Sequence, residues 1–143
     1  MISATVLFFF ESAYPLKDRT SLKSFIASIF KREKVSLKQL NYIFCSDENL
    51  LVINRQFLNH DFLTDVITFP LSGKGQPVEA EVYISIDRVK DNAKTLAQPV
   101  VRELHRVIFH GALHLCGYKD KTKAEIKQIR EREVFYLDLY FGS

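Results

Sequence analysis

Apolar residues recur along this chain both as unbroken runs and at helical spacing, and the switches between the two mark its elements. Residues 4–10 are β-branched and aromatic, a run that predicts a buried strand. After a turn-like stretch at 14–20, Leu22, Phe25, Ile26, Ile29 and Phe30 fall on one helical face, predicting an amphipathic helix carried to about Lys34. Residues 40–45 read as a second strand. Ser46 and Asp47 then offer an N-cap to a helix bearing Leu50, Leu51, Ile53, Asn54 and Phe57. A loop over 58–62 leads into a third strand at 65–70, stopped by Pro70, and 72–77 is the most turn-like stretch of the chain. Residues 81–86 alternate polar and apolar as a fourth strand, after which Asp87 is expected to cap a helix over 88–96. Pro99 marks the first turn of a helix over 100–115 that Gly117 ends, and a last helix spans about 122–140. No repeat or linker interrupts this order. It predicts one α+β domain over residues 1–143, a small mixed four-stranded sheet packed with about five helices.

Composition narrows the class. At 143 residues, 47% hydrophobic and 26% charged, the chain can bury a core without disulfide staples and is not globally disordered. Its two cysteines, Cys45 and Cys116, form no CxxC pair, which argues for a reducing compartment and against a cysteine zinc finger. The apolar run Val6–Phe10 ends at Glu11, far short of the roughly 20 residues a membrane helix requires, and it has no basic leader. A cytoplasmic protein without a membrane partner is the expectation. The net charge of +3 is modest, yet residues 17–38 hold seven Lys/Arg against two acids and 119–133 hold six against four. Such faces suit a polyanion such as RNA, although solvated helix faces are their commonest explanation. Gly73 and Gly75 lack a following Lys-Ser/Thr, so no nucleotide cofactor is expected.

Candidate chemistry gathers at residues 109–120. His110 and His114 lie four apart on the predicted helix, so both imidazoles project from one face. Gly117 is suited to the turn after the helix, and Asp120 follows within reach of both rings. Two nitrogens and one oxygen with positions left open are the donor set of a catalytic metal site at the end of a central helix. A bare HxxxH pair is a weak signal. The glycine and carboxylate behind it, in a helix whose Phe109, Leu113 and Leu115 indicate burial, make simple packing a poor explanation. Cys116, two residues past His114, points away from that face and reads as a small core residue, as does Cys45.

The stretch HGALHLCGYKD at 110–120 resembles the signature HGxLHLxGYDH of the YbeY family of bacterial endoribonucleases and rRNA maturation factors. Residues 54–70, NRQFLNHDFLTDVITFP, are similar to that family's NREYRGKDKPTDVLSFP, Glu81–Ser85 to its strand GDIVIS, and Arg102, Glu103 and Leu104 stand where it often has REL. The resemblance implies a metal-dependent single-strand endoribonuclease acting in ribosome maturation, at the 3′ end of small-subunit rRNA, with rRNA and the small ribosomal subunit as partners. It implies His110, His114 and Asp120 as ligands of one zinc ion. Asp120 stands in place of the family's third histidine, which makes the site more anionic and opens it to manganese or magnesium. The family's phosphate-binding arginine aligns with Leu58, and Arg55, one helical turn earlier, is the candidate replacement. Ala80 and Glu81 replace the family's Gly-Asp, which keeps an acid but alters the backbone. Arg102 and Arg106 complete the phosphate-binding candidates. No side chain is assigned as catalytic base. Glu103 is either an orienting partner of a ligand or, more simply, an exposed helix acid paired with Arg106 or Arg102.

Two other classes compete. HxxxHxxGxxD resembles the metzincin peptidase pattern HExxHxxGxxH, but residue 111 is glycine where those enzymes place a glutamate base. A non-catalytic rRNA-binding assembly factor, with a structural metal joining the last two helices, would share the same basic faces.

Overall fold

The computed structural model describes residues 4–142. Four strands and five helices follow in the order β1 (Thr5–Phe10), α1 (Arg19–Arg32), β2 (Leu37–Cys45), α2 (Asp47–Leu58), β3 (Val66–Pro70), β4 (Val78–Ser85), α3 (Ile86–Thr95), α4 (Val100–Leu115) and α5 (Lys123–Phe141). The sheet order is β1-β2-β4-β3. β1 and β4 flank β2 in parallel and β3 runs antiparallel on the far edge, so the sheet is mixed, as the α+β reading expects.

Strand alternation decides which helix goes where. Leu40, Tyr42 and Phe44 of β2 and Ala80, Val82 and Ile84 of β4 point to one face, where they join Leu22, Ile26 and Ile29 of α1, Leu104 to Leu113 of α4 and Tyr136 of α5 in the main core. Cys45 and Ile67 point to the other face, where α2 covers them with Leu50 and Ile53. α4 lies against the sheet closely. The Tyr42 hydroxyl donates to the Ile108 carbonyl at 2.9 Å, and a Cβ added to Gly111 would meet Val82 Cγ1 at 2.9 Å. Only glycine permits that approach.

Three boundaries differ from the sequence reading, each for a local reason. β2 starts at Leu37 rather than 40, because Lys38 and Gln39 extend the strand past the core, with Lys38 paired to Glu79 at 2.8 Å. β4 runs from Val78 to Ser85 and α3 begins at once, so Ser85, not Asp87, is its N-cap and accepts from the Arg88 backbone N–H at 3.1 Å. Asp87 instead accepts from the backbone N–H of Asp47 at 2.9 Å, tying α3 to the start of α2. Among the described residues no helix is long and apolar enough to cross a membrane.

Candidate metal centre

Glu103, Arg106, His110 and His114 repeat at intervals of three and four along one stripe of α4, a helix whose other side chains are mostly buried. The stripe ends at a turn fixed by backbone bonds. Tyr118 N–H donates to the Leu113 carbonyl and Gly117 N–H to that of His114, both at 3.1 Å, with Gly117 at φ 108°. This turn brings the Tyr118 carbonyl back to His114 Nδ1 at 2.7 Å and sets Asp120 Oδ2 3.5 Å from His110 Nε2. The rings of His110 and His114 are 5.9 Å apart between centroids.

The opposite nitrogen of His110 is held as well. Nδ1 lies 2.6 Å from Oε2 of Glu133, a residue of α5 that is 1% exposed. A carboxylate and a carbonyl can only accept, so each Nδ1 donates to its partner. Metal-ligating imidazoles are commonly backed in this way, by a carboxylate or carbonyl on the ring nitrogen away from the ion. The donors therefore fit a borderline divalent ion in kind. As placed, they do not close around one: among the described residues no group of three or more His, Cys, Asp or Glu side chains is positioned to hold an ion.

Behind the histidines lies a buried charge network. Arg106 makes a two-pronged contact with Glu103, both bonds at 2.7 Å, and reaches Glu133 at 3.1 Å and Asp65 at 3.6 Å. Burial opposes the charge of Arg106, but its bonds to Glu103 and the charges of Glu133 and Glu103 outweigh it and push the pKa further up. Burial likewise opposes ionisation of Glu133. The hydrogen bond with His110 and the charges of Arg106, His110 and Arg130 overcome that opposition and hold the carboxyl below its ordinary range. Glu103 is thus paired with Arg106, as the simpler reading has it, but it is buried rather than exposed.

A second knot supports the turn. Glu33, which caps the C-terminus of α1, accepts from the Tyr118 hydroxyl at 2.8 Å, from Arg132 at 2.7 Å and from the Tyr136 hydroxyl. It joins α1, the segment leading to Asp120, and α5. Neither Glu133 nor Glu33 stands out by motif. Glu133, however, shares the buried stripe of α5 with Ile129, Tyr136 and Leu137, and an acid at an apolar position is the signal the sequence offers.

Arg55 on α2 pairs with Asp61 of the α2–β3 connection, and Arg102 pairs with Asp138 at 3.3 Å. With Arg106 locked in its network, all three arginines already have carboxylate partners. Asp65 ties the start of β3 to α3 and α4 by accepting from Asn92 at 3.1 Å and facing Arg106. Cys45 is buried, Cys116 packs against the main core, and burial pushes both thiols up to about 12. Beside His114 opens a cleft of about 820 Å³, walled by β3, the β3–β4 loop and the α1–β2 connection.

This mixed sheet with paired histidines ending its central helix belongs to a recognised class of proteins. A family model described as Endoribonuclease YbeY matches residues 12–140. The chain is 49% identical over 140 residues to the Endoribonuclease YbeY of Cytophaga hutchinsonii, covering 97% of this chain and 98% of that one. It is 43% identical to the protein of the same name from Flavobacterium psychrophilum, covering 94% and 96%. Among solved structures it is similar to the solution structure of TM1509 from Thermotoga maritima, with a TM-score of 0.66, 27% identity, and coverage of 96% and 89%. The chain belongs to the endoribonuclease YbeY family.

Proposed function

We propose that the chain is a metal-dependent endoribonuclease that cuts single-stranded RNA during rRNA processing, at the 3′ end of small-subunit rRNA. The whole chain serves as one catalytic domain in the cytoplasm, with the small ribosomal subunit as its site of action. The observation that carries this reading is the locked pair of imidazoles: His110 backed by Glu133 and His114 backed by the Tyr118 carbonyl. Nothing in core packing asks for two neighbouring histidines that each have Nδ1 secured by an acceptor.

His110, His114 and Asp120 would hold the ion, zinc by donor type, with manganese or magnesium admitted by the carboxylate. A bound divalent ion supplies Lewis acidity toward a phosphoryl oxygen and lowers the pKa of water. The chain's own contribution is positional. Glu133 keeps the proton of His110 on Nδ1, the Tyr118 carbonyl does the same for His114, and Glu33 holds the turn that delivers Asp120. No side chain is assigned the part of a base.

The peptidase alternative is disfavoured by Gly111. A side chain there would be driven into Val82 and the sheet, so a glutamate at that position has no route to a water beside the histidines. The test is cleavage of unstructured RNA and of casein by the purified protein, with zinc or manganese and then with chelator. Cleavage of RNA alone, abolished by chelator, is expected. Cleavage of casein, or of neither, would overturn the reading.

A further inference from the structure

The cleft beside His114 does not stop at its own walls. A second cleft of about 840 Å³ runs along the surface of α1 and shares Lys34, Val35, Ser36 and Pro77 with the first. The two clefts adjoin along these four residues, and we take them together as one trough. It starts at His114, passes between the β3–β4 loop and the α1–β2 connection, and continues over the small residues Ser24, Ala27 and Ser28. Its charge is one-sided. Lys31, Lys34 and Lys74 line it, no aspartate or glutamate does, and among the described residues none of these three lysines is in an ion pair. That contrasts with Arg55, Arg102 and Arg106, each held by a carboxylate. A further cleft, at the Gly117 turn, is lined by Glu33 and Glu125 together with Lys119.

We infer that this trough is where the strand leaving the cleavage site lies, with Lys74, Lys34 and Lys31 neutralising successive phosphates of single-stranded RNA. The inference rests on the endoribonuclease reading and assigns the backbone-binding role that Arg55, Arg102 and Arg106 do not take. Three observations carry it: continuity with His114, the three unpaired lysines, and the absence of any acid from the walls. A trough floored by small serines and alanines admits a sugar–phosphate backbone without reading bases, which matches a chain with no stacking motif of its own along this path.

The test is fluorescence anisotropy of a labelled 2′-O-methyl oligouridylate bound to the full chain, with cleavage of unmodified RNA followed in parallel. The triple variant Lys31→Gln/Lys34→Gln/Lys74→Gln is compared with wild type and with Lys90→Gln/Lys94→Gln/Lys127→Gln, which removes the same charge from α3 and α5. Each lost phosphate contact reduces the slope of log affinity against log salt by about 0.7 for a single strand, so the trough variant should lose about 2 from its slope. Between 50 and 200 mM salt, wild-type binding should then weaken about 20-fold more than that of the trough variant. The control triple should keep the wild-type slope. Equal slopes for wild type and trough variant, or an equal loss in the control, would overturn the inference. Lysine-dependent binding without cleavage would instead remove the endoribonuclease reading and leave the trough. Absence of both wild-type binding and cleavage would remove both, and absence of binding alone would overturn the inference about the trough.

Discussion

Glu133→Gln is the substitution that probes the histidine site most sharply, because it changes charge and proton count while leaving shape almost intact. In the wild type one carboxylate oxygen accepts from His110 Nδ1 at 2.6 Å, and the other accepts from Arg106 at 3.1 Å and Arg130 at 3.0 Å. A glutamine amide has one accepting end and one donating end. If its NH₂ faces His110, the ring must move its hydrogen to Nε2 and can no longer ligate. If its NH₂ faces the guanidiniums, donor meets donor inside the network. Loss of such a backing group typically costs 10–100-fold in metal affinity, about 1.4–2.8 kcal/mol. Breaking a buried charge pair costs about 3–5 kcal/mol, and Arg106 keeps Glu103, which puts this case near about 3 kcal/mol. At about 2–4 °C per kcal/mol for a chain of this size, the melting temperature should fall by about 6–12 °C. Chelator-competition titration with zinc reads the first quantity and calorimetry the second. Zinc affinity within twofold of wild type, with the fold intact, would refute the reasoning that Glu133 sets the ligand tautomer.

Other perturbations follow from single contacts. For Glu33, burial favours the neutral acid, but bonds from Tyr136, Arg132 and Tyr118 outweigh it and lower the pKa. Its stabilisation is therefore complete above the unfolded value near about 4.3 and is lost as pH falls through the lowered folded value. Urea midpoints of wild type and Glu33→Gln should differ most above about pH 5 and converge toward pH 3, and a constant gap would contradict this. Gly111→Ala gains about 1 kcal/mol of helix propensity but forces a methyl against Val82, an overpacking cost of about 1–3 kcal/mol, so its urea midpoint should be equal to or below wild type. The thiols of Cys45 and Cys116, both pushed up to about 12, should resist a thiol reagent at pH 7.5 in the folded protein and react once it is denatured.

The elements were legible in this sequence wherever apolar periodicity is set by burial against the sheet. The strand at 65–70, the helix ending at Gly117 and the helical face of Leu22, Ile26 and Ile29 all appear where the pattern places them. Residues whose partners lie far along the chain were not legible. Asp87 has the local look of an N-cap, yet it serves α2, forty residues away, because Ser85 already caps α3. Glu103 looks like an exposed helix acid, and only the closure of α4 against α5 shows it buried with Arg106 and Glu133. The ligand candidates were readable because they are local, within eleven residues on one helix and its turn. The groups that orient them, Glu133 and Glu33, come from other elements, and no spacing rule connects them to His110 or Tyr118.

The proposed function stands or falls on whether His110, His114 and Asp120 hold one catalytic ion. Its most direct test is the metal content of the purified protein, by mass spectrometry, beside His110→Ala, His114→Ala and Asp120→Ala. About one ion per chain is expected in the wild type, with a marked loss in each folded variant. Equal metal in all four proteins would contradict it.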